Sequence, residues 1–356
     1  MTEKSEVAIN PSLLWAKSPP ADGSFLEGYP LLPHLLDVAS VGKVLLSSVP
    51  CPAPYALTAE WISALVGLHD LGKASPGFQR RLGRQNIGEY RLERDLPERH
   101  DISSVLILTN LLKGIGLTKT DASELAHAVG AHHGSPFTSD ELNKGKWEIA
   151  DAWQITHEAL LQALQDGVGA MGKPELPGDS SERSVVLQWL MGLTTTADWL
   201  GSSEALCRWE RLPSGLLEPT EWFAQSMALA TEAVRAAGLA PSPLPTTRDG
   251  ATAVQLVLGE ERQPRPLQIA IANAIDSLSS GPSLIVIEAP MGEGKTEAAL
   301  SCAFGTRGLY LAMPTQALAM HSSNGWQSFS RPFRRLMEPS DPSPSPTRLG
   351  GQIAPP

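Results

Sequence analysis

The sequence predicts a mainly α-helical domain followed by an incomplete α/β domain built on a phosphate-binding loop. Three observations carry this. Apolar residues recur at three- and four-residue steps over residues 31–235, with little strand signal. Residues 238–247 are then proline-rich and uncharged but for their surroundings, which reads as a connection rather than a packed element. Beyond them a helix, a β-type run, a glycine-rich turn and another helix follow in the order that opens a parallel sheet.

The helical periodicity places elements at 31–46, 58–71, 102–112, 121–131, 147–164, 181–200 and 219–237. Thr58 before Ala59-Glu60-Trp61, and Asp121 before Ala122-Ser123-Glu124, read as helix caps. In the second domain a helix over 267–278 precedes a β-type run over 283–288, a helix over 296–304 and a second apolar run over 308–313. The expected organisation is a helical domain over 1–237, a linker over 238–263, an α/β portion over 264–335 and a Pro/Ser-rich, disordered tail over 336–356.

Length and charge bound the function. At 356 residues the chain exceeds one ordinary core. A formal net charge of −10 argues against coating nucleic acid through bulk charge, so any such contact is local. One basic strip, Arg80, Arg81, Arg84, Arg91, Arg94 and Arg99, is interrupted by Glu89, Glu93, Asp95 and Glu98 and reads equally as a solvated face or a phosphate track. The three cysteines, Cys51, Cys207 and Cys302, have no paired spacing and fit a reducing, cytoplasmic setting. The N-terminus lacks a signal pattern and no apolar run approaches spanning length, so a soluble protein with no membrane partner is expected.

The histidines carry the chemistry. Six of the eight fall between His34 and His133, with Gly67-Leu68-His69-Asp70-Leu71-Gly72-Lys73 and Ala131-His132-His133-Gly134 on either side of His100. Imidazole nitrogens and carboxylate oxygens are the usual ligands of borderline transition metals, and a His-Asp doublet supplies both. The series reads as a metal-dependent hydrolase. His127 reads as an ordinary helix residue, and His157 and His321 stand outside the series.

The second motif is Ala289-Pro290-Met291-Gly292-Glu293-Gly294-Lys295-Thr296, between the β-type run and a helix. It fits the phosphate-binding loop with alanine in place of the first glycine. Gly292 and Gly294 let backbone N–H groups close on phosphate oxygens, Lys295 reaches the outer phosphates, and Thr296 offers its hydroxyl to Mg²⁺.

These residues resemble the CRISPR-associated nuclease-helicases of type I systems, an HD-type nuclease joined to a superfamily 2 helicase. The resemblance rests on Tyr29-Pro30-Leu31-Leu32-Pro33-His34-Leu35-Leu36-Asp37, Gly67 through Phe78-Gln79, Arg99-His100, Ala131 to Gly134, and Thr196-Ala197-Asp198-Trp199-Leu200-Gly201-Ser202. Its helicase side is Arg265-Pro266-Leu267-Gln268, the phosphate loop, and Pro314-Thr315-Gln316-Ala317-Leu318-Ala319. It implies an HD-type helical domain and the start of a RecA-like domain whose Gln268 reads adenine. It implies His34, His69, Asp70 and Asp198 as ligands of one metal, and Asp70, His100, His132 and His133 as ligands of a neighbouring one, with Asp70 catalytic and bridging. Asp198 is picked out by the resemblance alone. Lys73 either contacts substrate phosphate or is a surface lysine.

The function so implied is a metal-dependent endonuclease or exonuclease on single-stranded DNA in antiviral defence. It would use a pair of divalent ions (Mn, Fe, Co or Ni), with ATP and Mg for the helicase portion, and a guide-RNA surveillance complex as partner. Later motor motifs do not follow Gln316, so a truncated helicase that does not work as a motor is expected. The alternatives are an HD-type phosphohydrolase acting on a nucleotide, or an inactive remnant that docks on the surveillance complex. Histidines 100, 132 and 133 argue for a second metal and against the nucleotide phosphohydrolase.

Overall fold

The leucine-rich segment after Pro30 is apolar on nearly every side, so its helix has to be enclosed rather than laid on a surface. The computed structural model, which describes residues 9–92, 99–134, 137–213, 215–240, 249–259, 261–278 and 283–304, encloses it. Helix α1 (Leu31–Leu45) packs against α2 (Ala59–Gly67), α7 (Asp151–Val168), α8 (Ser180–Gly201) and α9 (Pro219–Ala236). Pro33 is accommodated because it lies in the first turn, where the backbone N–H has no partner inside the helix. Helices α3 (Pro76–Arg81), α4 (His100–Gly114), α5 (Lys119–Gly130) and α6 (Ser139–Lys144) complete the first unit, Met1–Ala240, with α4 laid against α5. Two small antiparallel ribbons, Trp15–Lys17 with Tyr29–Pro30 and Asn86–Ile87 with Tyr90–Arg91, are its strands among the described residues.

Differences from the sequence expectation have local causes. The helix expected over 58–71 starts where its cap predicts, with Thr58 Oγ1 accepting from Trp61 N, but ends at Gly67. A 3-10 turn, Leu68–Lys73, takes over and breaks at Asp70 (φ −102°, ψ 17°), which re-aims a side chain that a continuous helix would turn about 100° from His69. The cap of α5 is Thr118 rather than Asp121, which instead receives the first turn's third position and pairs with Arg183. Helix α7 begins four residues after the apolar pattern, since Trp147 and Ile149 pack on the core from the segment that leads into it.

Gly72 explains how this turn meets α4. A Cβ there would sit 1.9 Å from His100 O and 2.4 Å from Ser104 N, so only glycine lets the two backbones touch. Gly72 N also donates to Ser104 Oγ at 2.8 Å.

One turn beyond His34, Asp37 is fully buried and ties distant pieces together. Its Oδ1 accepts from Ser226 Oγ (2.6 Å), Trp222 Nε1 (3.0 Å) and the Arg211 guanidinium (3.3 Å), and its Oδ2 from Tyr29 Oη (2.9 Å). Burial pushes its carboxyl up to about 6, against the hydrogen bonds and Arg211, which favour the ionised form.

The second unit, Pro241–Pro356, is described through α10 (Gly250–Leu258), α11 (Pro266–Ser277) and α12 (Lys295–Ser301). These three pack on one another through Ala253 and Val257 of α10, Leu300 and the nearby Phe304, with Ile275 of α11 against them. Two expectations change here. The stretch read as a linker holds α10, whose cap Asp249 accepts from Thr252 N and whose Ala253, Val254 and Val257 are buried. The run over 283–288 is not a strand, and Leu284 and Val286 are exposed. A strand is defined by its hydrogen-bonded neighbour, and the neighbour expected over 308–313 lies outside the described residues, as do Gln316, His321 and the tail over 336–356.

Two stability outcomes follow. Gly72→Ala should lower the unfolding free energy of the first unit by about 2–3 kcal/mol in urea titration, since backbone has to move; an unchanged midpoint would mean the α4 contact is slack. Because Asp37 titrates higher in the fold than in the unfolded chain, its contribution is full below about pH 4 and is lost as pH rises through about 6. The stability of the native chain minus that of Asp37→Asn should therefore fall between those pH values, and a flat difference would contradict the buried carboxyl's shift.

Candidate metal centre

Five elements deliver the histidine and aspartate side chains to one place. His34 comes from α1, His69, Asp70 and Lys73 from the 3-10 turn after α2, and His100 from the first position of α4. His132 and His133 come from a second 3-10 turn, Ala131–His133, after α5, and Asp198 from the last turns of α8. In both 3-10 turns a histidine Nδ1 bonds the carbonyl three residues before it, His69 to Val66 O at 3.0 Å and His132 to Val129 O at 3.1 Å. With Nδ1 donating to its own turn, each Nε2 is turned to the centre.

Asp70 is the hub. Its Oδ2 lies 2.9 Å from His34 Nε2, 3.1 Å from His69 Nε2 and 2.6 Å from Lys73 Nζ. Its Oδ1 lies 3.3 Å from His100 Nε2 and 3.7 Å from His132 Nε2. His69 Nε2 is also 3.3 Å from Asp198 Oδ1, and His133 Nε2 is 3.4 Å from His100 Nε2. Two groups of ligand-type atoms result, His34, His69, Asp70 and Asp198 in one, and His100, His132 and His133 in the other.

The fit to a cation is tested by what these atoms lack. His69 Nε2, Asp70 Oδ1 and His132 Nε2 are buried without a well-aligned hydrogen bond, although each has polar neighbours within 4 Å. Lone pairs facing lone pairs in a dry site are costly unless a positive charge sits between them. All the donors are imidazole nitrogen or carboxylate oxygen, a set suited to divalent transition metals.

The electrostatics point the same way. Burial holds His34 and His132 down at about 4, with the charges of Lys73 and His69 respectively adding to the effect. Burial also disfavours the charged form of His69, but Asp70 and Asp198 outweigh it and raise His69 to about 10. Asp70 and Asp198 stay ionised despite burial, held well below the usual carboxylate range by His69 above all, with Lys73 adding to it at Asp70. The centre carries concentrated negative charge that a proton on His69 offsets when no metal does.

Sequence reasoning named every side chain in the two groups, and the fold brings them all together. Lys73, left open between two readings, is buried with Asp70 rather than lying on the surface. The residues that hold the ligands were not foreseen. Thr195 Oγ1 is 3.0 Å from His132 O, Ser202 Oγ donates to Asp198 Oδ1 at 2.7 Å, and Gln79 Nε2 donates to Lys73 O and Trp15 O, both at 2.9 Å. Gln79 and Ser202 stand within the motif segments and Thr195 directly precedes one, but nothing in the sequence assigns them these contacts. His127 bonds Ser123 O within its own helix, and His157 bonds Ala74 O, so both stand apart from the two groups. Arg84 is committed to structure: its guanidinium lies over the Trp15 ring and donates to Leu13 O and Gln79 Oε1. Arg94 lies outside the described residues.

In the second unit Gly292 (φ 89°) and Gly294 (φ 80°) both adopt left-handed backbone, as the glycine-rich turn requires. Buried Gln268 reaches the turn, with Nε2 3.5 Å from Gly294 O, and the Arg265 guanidinium donates to Gly292 O. Lys295 Nζ donates to Ala289 O (2.6 Å) and Pro290 O (2.8 Å), while Thr296 is exposed. Among the described residues, no helix is long and apolar enough to cross a membrane.

Comparison with known proteins places this geometry. The chain is 35% identical over 336 residues to the CRISPR-associated endonuclease/helicase Cas3 of Thermus thermophilus, covering 86% of this chain and 34% of that protein. It is 26% identical over 368 residues to the nuclease/helicase Cas3 of Streptococcus thermophilus, covering 87% and 37%. It therefore spans about a third of the length of these relatives. Among solved structures it resembles a CRISPR-associated protein (TM-score 0.70, 28% identity, 94% of this chain and 38% of that one) and T. fusca Cas3 with AMPPNP (TM-score 0.65, 27% identity, 92% and 38%). It also resembles a chain in a CRISPR RNA-guided surveillance complex before nicking (TM-score 0.54, 27% identity, 91% and 39%). The family model for the Cas3 HD domain matches residues 15–207, more than half of the chain and a span containing every member of the two ligand groups; the chain belongs to the Cas3 HD-domain family.

Proposed function

We propose that the first unit is a metal-dependent nuclease acting on single-stranded DNA in CRISPR defence in the cytoplasm, reaching its substrate through a guide-RNA surveillance complex. The observation that carries the reading is Asp70, whose two oxygens face two separate histidine groups. His34, His69, Asp70 and Asp198 would hold one divalent ion, and His100, His132 and His133, with Asp70 shared, a second; Mn, Fe, Co and Ni all suit these donors. Such a pair, when bound, supplies a water of lowered pKa and neutralises charge on a phosphodiester. The second group makes a site for a nucleotide phosphohydrolase with one metal the poorer fit.

The chain's own residues set the rest. Lys73 Nζ, 2.6 Å from Asp70 Oδ2, fixes the shared carboxylate and adds positive charge where a phosphate is to be held. His34 and His69 are closed off, whereas His133 is exposed and His100 part-exposed. Substrate therefore approaches from the His100 and His133 side. Family relatives named as nuclease/helicases, and the resemblance to a surveillance-complex structure, support the substrate and partner.

For the second unit we infer ATP with Mg as the ligand of Gln268, Gly292, Gly294, Lys295 and Thr296, a reading supported by the AMPPNP complex of the T. fusca relative. An arriving phosphate would draw the Lys295 ammonium away from the Ala289 and Pro290 carbonyls.

With Mn²⁺ and no ATP, the protein should cleave circular single-stranded DNA. Asp70→Ala should reduce the rate by more than the roughly 10–100-fold typical of losing a group that only orients a metal ligand. Full cleavage by a metal-replete Asp70→Ala protein would sink the assignment. Lys295→Ala should weaken binding of a fluorescent ATP analogue by about 10–100-fold, the worth of a charge-assisted hydrogen bond, without altering Mn²⁺-dependent cleavage. Unchanged analogue binding would remove Lys295 from the nucleotide site.

A further inference from the structure

His34 is anchored differently from the other buried histidines of the centre. His69 and His132 each use a carbonyl of their own turn, but His34 Nδ1 faces Cys207 Sγ at 3.8 Å, across 173 residues of chain. With its Nε2 turned to Asp70 and the proposed ion, His34 carries its proton on Nδ1 and donates it to sulfur. Cys207 in turn points its S–H at Gly201 O, 3.3 Å away, so the buried thiol both accepts and donates.

The same stretch of chain holds a second ligand. Ser202 Oγ donates to Asp198 Oδ1, and Lys17 Nζ donates to Ser202 O at 2.6 Å while lying beside the Cys207 thiol. Lys17, Ser202 and Cys207 thus brace His34 and Asp198, two members of one ligand group, and none of them touches His100, His132 or His133.

We propose that Cys207 is a positioning residue for one metal position: its sulfur accepts the His34 Nδ1–H, setting the ring's orientation and tautomer without ligating the ion. This rests on the metal centre proposed above. A group that orients a histidine ligand contributes roughly 10–100-fold to metal affinity when removed. The effect falls on the His34, His69, Asp70 and Asp198 group and leaves the other group alone.

The test is Co²⁺ titration of the full chain, followed by absorbance and by competition with a chelator, in the native protein, Cys207→Val and Cys207→Ser. Valine fills the space, though bulkier than cysteine, and removes the acceptor, while serine keeps an acceptor. Native protein should bind Co²⁺ at both groups with no thiolate charge-transfer band. Cys207→Val should weaken one position about 10–100-fold and leave the other within about twofold, and Cys207→Ser should restore the weakened one to within about threefold. Urea midpoints monitor folding, and Cys207→Ala replaces valine if that variant does not fold.

Native affinity at both positions in the valine protein would overturn the proposal while leaving the metal centre standing. Equal weakening by valine and serine would assign the effect to packing and overturn it. A thiolate band in native protein would make Cys207 a ligand, which also overturns it. No Co²⁺ binding by native protein would overturn both this proposal and the metal centre.

Discussion

A carboxylate buried at Asp70, with ring nitrogens against both of its oxygens, is the constraint to which the first unit is built. Burying such a charge is unfavourable by several kcal/mol unless opposite charge and hydrogen bonds surround it. Lys73 and a protonated His69 provide part of that compensation, and the unsatisfied lone pairs of Asp70 and His132 leave room for more. Because the ring nitrogens and the ammonium around Asp70 come from four separate elements, the helix packing has to be right to within about an ångström for any of it to work. The close contact of Gly72 with the start of α4 is the clearest instance, since a single methyl there would force His100 away from Asp70.

The side chains of the proposed metal centre differ in how far their support lies from them in the chain. His69 and His132 are aimed by carbonyls three residues away, so the turn that presents each ring also fixes its tautomer. His34 and Asp198 depend on the segment that follows α8 and, through Lys17, on the first strand. Asp37 adds a second long-range tie one turn along α1, binding it to the Trp209–Arg211 turn and to α9. The helix that carries His34 is therefore clamped on both sides of the centre by polar contacts inside an otherwise apolar core.

The second unit follows different physics. Its small apolar cluster holds three helices, and the glycine-rich turn is ordered by hydrogen bonds from Arg265, Gln268 and Lys295 to its carbonyls. Those donors satisfy the turn in the same way that they would satisfy a phosphate, by donating to oxygen. The loop's shape is thus present in the backbone, with Gly292 and Gly294 left-handed, independent of strand formation over residues 283–288.

Much of this was written in the sequence by itself, because local patterns have local causes. Apolar spacing gave the long helices of the first unit but not the short α3 and α6, the His-Asp and His-His doublets gave the chemistry, and the glycines gave the turn. Asp198 needed a family resemblance, since a lone aspartate on a helix carries no signal. Tertiary structure decided that the turn after α2 breaks at Asp70, that residues 250–258 are a helix and not a linker, and that Lys73 is buried, whereas the Thr118 cap of α5 is a contact only three residues long that the apolar pattern does not mark. It also decided which groups hold the ligands, Thr195, Ser202 and Cys207 among them. The contacts of Thr195 and Cys207 span 63 and 173 positions, and such a hydrogen bond depends on how whole helices pack, a quantity that no window of sequence contains.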